Sequence, residues 1–439
     1  MDSNKALQSA VLRYKLNEDI PLYNGRTKIF INDDEAEVEI EVYLKWLPNP
    51  SLRFKGTIAN SESSLLNVKE KLLASKQKMV FPDNTTCDIF IQNITHGKEI
   101  FIEGTLRDYS SNEHRVVNNV TFSIINFLDC LGNPVEFENE GYLGRLVINY
   151  NEWRITIDKR HDYNQKPVKI MKQLKDQGGY LITHLGKIDR SDGKSFDTNE
   201  ISHVIDSLHW LLSFASGRHI GISLMKGKYD EEVIWFDNNV PIISPWKNNL
   251  TWFPKQKAEV LEDLFSGVAN CLQNEYLAKV LRESLSWYIE CHSNSIIETK
   301  IVSAQTALEM LSWSYLVIYS KQLSKTQFKK KNTSENMRIL LKKFEIGTEY
   351  SFIPELQQLM FDDAVHLLTE TRNDVVHPVS KQELDGNQKY MVLQIGVQYI
   401  ELVLLGVFKY DKYYLNKLRQ PIWEGNCDYV PWLEKIKRI

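Results

Sequence analysis

The sequence predicts an α+β protein of more than one domain, in which a β-rich region, an antiparallel sheet or sandwich, precedes an α-helical bundle. Two observations predict this class. Short runs of alternating apolar and polar residues recur through the first half, and after residue 255 nearly every segment repeats its apolar residues at helical spacing. The length of 439 residues is enough for two or three domains. We therefore expect a β-rich domain over residues 1–250 and a helical domain over residues 256–439, with a bundle core at about 295–410.

The composition is that of a globular protein without a general affinity for nucleic acid. Hydrophobic residues make up 43% of the chain and charged residues 25%, which is enough to build sizeable cores. The net charge of -4 means that any binding of nucleic acid must come from a local patch. The five cysteines are scattered, which favours a reducing compartment over a disulfide framework. The first residues contain no hydrophobic run typical of a signal peptide, so we expect a cytoplasmic location.

Short strand candidates fill the first 160 residues. They are separated by polar turns such as Asn32-Asp33-Asp34, and this spacing is typical of an antiparallel sandwich or a barrel-like sheet. The candidates are residues 29–31, 38–43, 52–58, 87–91, 100–106, 120–124, 146–150 and 153–157. Two further candidates follow at residues 220–224 and 232–236.

The apolar period changes near residue 199, where residues 199–214 carry one apolar helical face and Gly217 is placed to end the helix. The polar residues of this helix include a possible metal set: His203, Asp206 and His209. His209 lies well round the helix from His203, so we interpret both as ordinary surface or partly buried histidines. Arg218-His219 could bind an anion, but a structural turn is the simpler interpretation.

The second half is predicted to be helical after a proline-containing linker at residues 241–254. The predicted helices are residues 257–273, 276–291, 295–318, 337–344, 354–370 and 388–410. Residues 391–408 are apolar enough to raise the question of a membrane span. They include Glu401, however, and a charge near the bilayer centre costs about 2.5–3.5 kcal/mol on insertion scales, so we predict a core helix of a bundle.

Between two of these helices lies a basic stretch, predicted to be a loop, in which Glu335 is the single acid. A lysine run of this kind is either a solvated loop or a patch that attracts phosphate with salt-dependent affinity. We propose Lys329, Lys330 and Lys331 as substrate-binding residues. The whole stretch comprises Lys321, Lys325, Lys329, Lys330, Lys331, Arg338, Lys342 and Lys343. The C-terminal tail also mixes cations with aromatic residues, among them Trp423, which could stack bases or pack onto the bundle.

An arginine and a histidine stand five positions apart at the end of a predicted helix, in Arg372-Asn373-Asp374-Val375-Val376-His377-Pro378. The proline pushes His377 away from helical dihedrals, so the histidine ring should lie where the helix ends. Arginine binds phosphate oxygens in a forked geometry, and histidine both accepts and donates a proton near neutral pH. Together they suit cleavage of a phosphodiester without a metal or other cofactor.

The stretch around these residues resembles the HEPN family of ribonucleases and toxins. Three features carry the resemblance: the helix with Ala307-Leu308-Glu309-Met310-Leu311, the lysine-rich connector, and the Arg372-Asn373 pair with His377 beyond it. The N-terminal region, with residues 211–219, is similar to the domain that precedes the HEPN module in ApeA-type anti-phage proteins.

The resemblance implies an endoribonuclease that uses the ribose 2′-OH of cellular RNA or tRNA and acts as a toxic effector in bacterial anti-phage defence. His377 would be the general acid or base, Arg372 would hold the phosphate, and Asn373 would orient the pair or the substrate. Glu309 matches a recurrent polar position of the family and is assigned to substrate binding. The family also implies a homodimer in which two motifs face one cleft, and a phage-derived trigger bound by the N-terminal domain.

Three alternatives stay open. Arg372 and His377 could simply end a helix, with His377 capping carbonyls and Arg372 paired with Asp374 or Glu370. Asp362, Asp363 and His366 could bind a divalent metal, because Asp362 and His366 stand four residues apart on one helical face. The protein could also be a non-catalytic HEPN-like binding or sensing module whose β-rich domain recognises a ligand or protein partner.

Overall fold

The computed structural model describes residues 4–31, 34–58, 76–96, 99–138, 140–163, 170–377, 383–419 and 427–433. The chain forms two compact units. The β-rich unit comprises Met1–Leu128, Asn133–Ser202 and Ile220–Asn248, and the helical unit comprises Asp129–Gly132, His203–His219 and Asn249–Ile439. The predicted α+β class, with a β-rich N-terminal region and a helical C-terminal region, is confirmed. Asn32, Asp33, Pro378 and Trp423, on which part of the predictions rested, lie outside the described residues.

Six strands of the β-rich unit form a closed antiparallel barrel in the order β1-β2-β3-β6-β5-β4. Apolar and polar residues alternate along these strands because successive side chains point to opposite faces, and in β3 Leu52, Phe54 and Ile58 are buried. The strands are β1 (Ile20–Ile31), β2 (Asp34–Lys45), β3 (Ser51–Ile58), β4 (Gln77–Val80), β5 (Thr86–His96) and β6 (Ile100–Arg107).

The same unit contains a seven-stranded antiparallel sheet in the order β15-β14-β8-β12-β11-β10-β9. A short pair, β7 with β13, and helix α1 (Ile170–Gln177) accompany it. The strands are β7 (Val116–Val117), β8 (Asn119–Ile125), β9 (Asn133–Phe137), β10 (Glu140–Tyr150), β11 (Trp153–Lys159), β12 (Ile182–Arg190), β13 (Phe196–Asp197), β14 (Gly221–Tyr229) and β15 (Glu232–Asp237). Every strand candidate of the sequence analysis lies wholly or mostly within one of these strands or those of the barrel.

The helical unit contains eight helices and the small hairpin β16 (Tyr413–Leu415) with β17 (Cys427–Tyr429) within its described residues. Gly217 ends α2 as predicted: its φ is +61°, and the Asn249 and Thr251 side chains donate hydrogen bonds to the last carbonyls of the helix. The helices are α2 (Ser202–Ser216, of which His203 onward belongs to this unit), α3 (Val260–Gln273), α4 (Glu275–Cys291), α5 (Ile297–Trp313), α6 (Lys325–Lys329), α7 (Thr333–Lys343), α8 (Ala364–Val376) and α9 (Gly386–Val407).

Two predictions about these helices are wrong. The start of the helix expected over residues 354–370 is wrong: Pro354–Leu356 forms a single 3₁₀ turn, and α8 begins only at Ala364 because the extended Asp363 caps the backbone N–H of His366. The part of the basic stretch expected to be a loop contains α6, and the helix expected over residues 337–344 begins earlier, at Thr333, as α7; each of the two is closed at its start by a capping box.

Helix α9 is the apolar segment that raised the question of a membrane. In the described part of the chain two helices are long and apolar enough to cross a membrane, Ile297–Tyr319 and Gly386–Val407, and 61% and 78% of their most apolar windows are buried. Glu401 of α9 forms a buried ion pair with Lys417, with 2.7 Å between Oε2 and Nζ. This pairing is how a charged side chain is accommodated in the core of the unit.

Candidate active site

Helix α8 carries the Arg–His stretch and is fixed against α7 by two polar contacts. Ser334 Oγ lies 3.1 Å from Thr369 Oγ1, and the Arg338 guanidinium binds both carboxylate oxygens of Asp363 at 2.7 and 2.9 Å. The two helices are therefore antiparallel. The start of α7 lies beside the last two turns of α8, where the Arg–His stretch is found.

Arg372 and Asn373 lie near the end of α8 and His377 lies at its C-cap, and these three residues are hereafter the Arg–His face. Thr369 faces the start of α7, and Arg372 and Asn373 follow it by three and four residues, which is the spacing of neighbours on a helix surface. His377 follows Asn373 by four more residues. It is the C-cap, with φ -131° and ψ 84°, and its backbone N–H donates to the Asn373 carbonyl at 2.7 Å. The expectation that His377 stands where the helix ends is confirmed.

The side chains of this face are only loosely bonded. Arg372 Nη1 donates to Asn373 Oδ1 at 3.4 Å, and Asn373 Nδ2 donates to Glu370 Oε1 at 3.4 Å, which are long hydrogen bonds. Arg372 and Asn373 are half-buried, whereas His377 is exposed. Among the described residues no hydrogen bond joins the Arg372 and His377 side chains, and no ion pair joins Arg372 to Glu370 or Asp374. The guanidinium and the imidazole are thus accessible to a ligand.

The three predicted substrate-binding lysines lie between α6 and α7. Lys329 ends α6, Lys330 is its C-cap, and Lys331 lies two residues before the first residue of α7; all three are exposed. Lys342 and Lys343 lie at the other end of α7, about 15 Å from its first residue at 1.5 Å per residue. Arg338 is bound to Asp363. The basic run of the sequence is therefore divided between the two ends of one helix.

Glu309, the fourth predicted substrate-binding residue, is not brought to this face. Gly396 of α9 faces both Ala304 of α5 and Leu368 of α8, so these residues share one level. Arg372 follows Leu368 by four residues on α8, in the direction of the start of α9.

Helix α5 runs parallel to α9, as the Glu298–Lys389 ion pair also requires, whereas α8 runs antiparallel to α9. Glu309, which follows Ala304 by five residues, therefore lies toward the end of α9, in the direction opposite to Arg372. The separation along the axes is about 13 Å. Glu309 is half-buried and accepts a hydrogen bond from Gln305 Nε2 at 2.7 Å on its own helix.

The rival metal sets are occupied by other contacts. Asp363 caps α8 and binds Arg338, and Asp362 Oδ2 lies 3.1 Å from His366 Nδ1. Asp206 forms an ion pair with Arg282 at 2.8 Å. In the described part of the chain no group of three or more His, Cys, Asp or Glu side chains is placed to hold a metal ion.

The structure gives further residues a place at this end of the unit. Glu370, considered as a partner of Arg372, instead accepts the Asn373 amide and so orients it, as its position three residues before Asn373 allows. Val376, Tyr390 and Ile296 leave 43%, 52% and 68% of their surfaces exposed at the ends of α8, α9 and α5. The Glu298–Lys389 pair at 2.9 Å brings the starts of α5 and α9 together beside the end of α8.

The arrangement supplies a cation and a proton-transfer group at the C-terminal end of α8, with exposed lysines in the segment that precedes the neighbouring helix α7. A phosphodiester could be held by Arg372 while His377 exchanges a proton with a ribose oxygen.

Two family models match the sequence: the YopA central domain over residues 112–249, and the YopA C-terminal domain over residues 274–428, which contains the Arg–His face. The SPbeta prophage-derived uncharacterized protein YopA of Bacillus subtilis (strain 168) is 40% identical over 436 residues, which is 98% of each chain. No solved structure matches.

Proposed function

This chain belongs to the YopA family, and we propose that it is a metal-independent endoribonuclease in which Arg372, Asn373 and His377 carry the reaction. The observation that supports this proposal best is that the three residues lie together at the C-terminal end of α8, where Ser334 at the start of α7 contacts Thr369. The resemblance of the same residues to the HEPN family supports the same chemistry.

In the proposed reaction the ribose 2′-oxygen bonds to the adjacent phosphorus while the bond from phosphorus to the 5′-oxygen breaks. One proton leaves the 2′-hydroxyl and one proton reaches the departing 5′-oxygen, so the products carry a 2′,3′-cyclic phosphate and a 5′-hydroxyl. Arg372 stabilises the negative charge that develops on the phosphoryl oxygens, and His377 performs one of the two proton transfers. Glu370 holds Asn373, which in turn bonds to Arg372. Lys329, Lys330 and Lys331 attract the RNA backbone.

A second copy of the chain would supply the second proton-transfer group. One copy presents one His377, whereas the reaction requires both an acid and a base. The exposed apolar side chains of Val376, Tyr390 and Ile296 lie at the same end of the unit and offer a surface for that copy. We therefore infer a homodimer through the helical unit. Light scattering at micromolar concentration tests it, and an active monomer would contradict it.

The biological setting we propose is conflict between a bacterium and its phages. The 40% identical relative is named as prophage-derived, and the N-terminal region resembles that of ApeA-type anti-phage proteins. In this proposal the β-rich unit senses a phage-derived trigger, and the helical unit then degrades cellular RNA or tRNA in the cytoplasm.

The decisive experiment is incubation of the purified protein with structured cellular RNA in excess EDTA, followed by analysis of the product ends. We expect cleavage by the wild-type protein that leaves cyclic phosphate. Arg372→Ala and His377→Ala should each lose about 10²-fold or more of the rate, which is the scale of one acid–base or electrostatic contribution. His366→Ala is the matched control, because His366 lies on the same helix but is placed at its first turn.

Cleavage that disappears in EDTA, or survives in both alanine variants, would reject the proposal. If the wild-type protein does not cleave, the assay is repeated in extract from phage-infected cells, where a trigger would be present. Inactivity there, together with retained RNA binding, would favour a non-catalytic binding module.

A further inference from the structure

A second surface of the helical unit combines one exposed and one half-buried tyrosine ring with lysines that form no ion pair within the described residues. It is formed by Tyr315, Tyr319, Lys321, Lys342 and Lys343, hereafter the Tyr319 surface. Helix α5 does not end at Trp313 but continues as a π-helical turn, Ser314–Tyr319, which carries both tyrosines. Such turns are rare and are often found at functional sites.

The aromatic part of this surface is well positioned. The Tyr315 ring packs against Phe344 with 4.8 Å between centroids, and the Tyr319 ring lies 5.5 Å from Tyr315. Phe344 in turn packs near Trp432, at 5.9 Å. Tyr315 is half-buried by these contacts, whereas Tyr319 keeps 45% of its surface exposed. One fixed ring thus supports a second ring that is open to solvent.

The charged part of the surface is close by. Lys342 and Lys343 immediately precede Phe344, and Lys321 follows Tyr319 by two residues. All three lysines are exposed, and none forms an ion pair with an acidic side chain of the described residues. The nearest acid in sequence, Glu345, follows Lys343 by two residues, and the whole chain carries a net charge of -4.

The backbone of Lys321 adds an independent observation. Its φ is +52°, in the left-handed region where a non-glycine residue costs about 1–2 kcal/mol. Glycine or asparagine is the usual residue at such a position just beyond a helix. A lysine there adds a cation at the edge of the Tyr319 surface.

We propose that the Tyr319 surface binds single-stranded nucleic acid, with a base stacked on Tyr319 and the phosphates that flank it contacted by Lys321, Lys342 and Lys343. An exposed ring beside cations is the usual means of binding single strands, since every base has a face that can stack. Lys342 and Lys343 lie about 15 Å along α7 from its first residue, near which Ser334 contacts Thr369 of α8, so the surface is distinct from the Arg–His face. The proposal goes beyond the ribonuclease activity and does not depend on it.

The test uses a probe that the proposed ribonuclease cannot cleave. Fluorescein-labelled oligothymidylate of about 15 nucleotides lacks the 2′-hydroxyl, and its binding to the full chain is followed by fluorescence anisotropy. We expect Tyr319→Ala to weaken binding about fivefold or more, and Tyr319→Phe, which keeps the ring, to restore it. Trp287→Ala is the matched control, because Trp287 is an exposed aromatic residue of α4, with 38% of its surface accessible.

The lysines are tested by the salt dependence of binding. Replacing Lys342 and Lys343 with glutamine should reduce the slope of log K against log salt concentration by about 1.4, since each phosphate contact to a single strand contributes about 0.7. An oligouridylate of the same length, in the Arg372→Ala background, identifies the source: tighter binding than oligothymidylate indicates RNA, and equal binding indicates single strands in general. Either outcome supports the proposal. A folded Tyr319→Ala protein that binds as well as the wild type, or a wild-type protein that binds neither oligonucleotide, would overturn it.

Discussion

Two polar clusters of the helical unit differ in almost every physical respect. In the first, Glu401 accepts hydrogen bonds from the Tyr288 hydroxyl at 2.8 Å and the Trp252 backbone N–H at 3.1 Å, and it pairs with Lys417 at 2.7 Å. All its charged groups are buried. In the second, the bonds of Arg372 and Asn373 are 3.4 Å long, and His377 is exposed.

The first cluster stabilises the fold, whereas the second is the proposed functional site. A buried ion pair is stable only when each charge keeps its partners. Because Glu401 of α9 pairs with Lys417, the Glu401 cluster attaches the segment that carries Lys417 to the core of the unit. Burial raises the pKa of Glu401 and lowers the pKa of Lys417, in each case against the attraction of the partner. Among the described residues the Arg372 guanidinium has only the long hydrogen bond to Asn373, so its other N–H groups can bind a ligand.

The largest change in the free energy of unfolding is expected when the buried Glu401 cluster loses one of its charges. Lys417→Met leaves the Glu401 carboxylate buried without its counter-charge, and we expect the free energy of unfolding to fall by about 3–5 kcal/mol. Chemical denaturation of the two proteins measures this difference.

The double variant Glu401→Gln with Lys417→Met sharpens the same measurement. Glutamine removes the charge but keeps an acceptor for Tyr288 and Trp252, so most of the lost stability should return. If Lys417→Met were as stable as the wild-type protein, the cluster would not have the role assigned to it.

A buried histidine extends the comparison to the β-rich unit and gives an effect of intermediate size. Burial, and secondarily the charge of Lys159, lowers the pKa of His184 to about 3 from its ordinary value of 6.5. The unfolded chain therefore binds a proton at a pH where the folded chain does not. The stability from neutral His184 is present above pH 6.5 and is lost as the pH falls toward 3.

We expect acidification from about pH 7 to about pH 5 to lower the free energy of unfolding by about 2 kcal/mol through this group. The wild-type protein is compared with His184→Gln by denaturation at both pH values. The variant should lack this part of the pH dependence, and identical pH dependence in the two proteins would contradict the assignment.

The sequence predicted local features well and non-local ones poorly. Alternation along β3 and the glycine at position 217 are local signals, and both were confirmed. Closure of the barrel depends on the pairing of β1 with β4 and of β3 with β6, which are distant in the chain. The start of α8 depends on Asp363, which is held in part by Arg338, 25 residues away.

The candidate site shows the same limit. The helix end at His377 was predictable from the proline that follows it. The lysine run appeared as one patch because sequence order does not show that α7 separates Lys331 from Lys343. Glu309 was assigned to the site by resemblance, whereas the directions of α5 and α8 carry it away from Arg372.

The smallest change in the free energy of unfolding is expected for the two variants that should lose the most activity. Arg372→Ala and His377→Ala remove side chains that make only long or no side-chain hydrogen bonds among the described residues, so each should change the free energy of unfolding by less than about 0.5 kcal/mol. Denaturation of both variants beside Lys417→Met measures this, with RNA cleavage in EDTA followed on the same samples. Loss of cleavage with unchanged stability assigns the two side chains to the reaction. Destabilisation by several kcal/mol would show instead that they support the fold, and the contrast between the two clusters would fail.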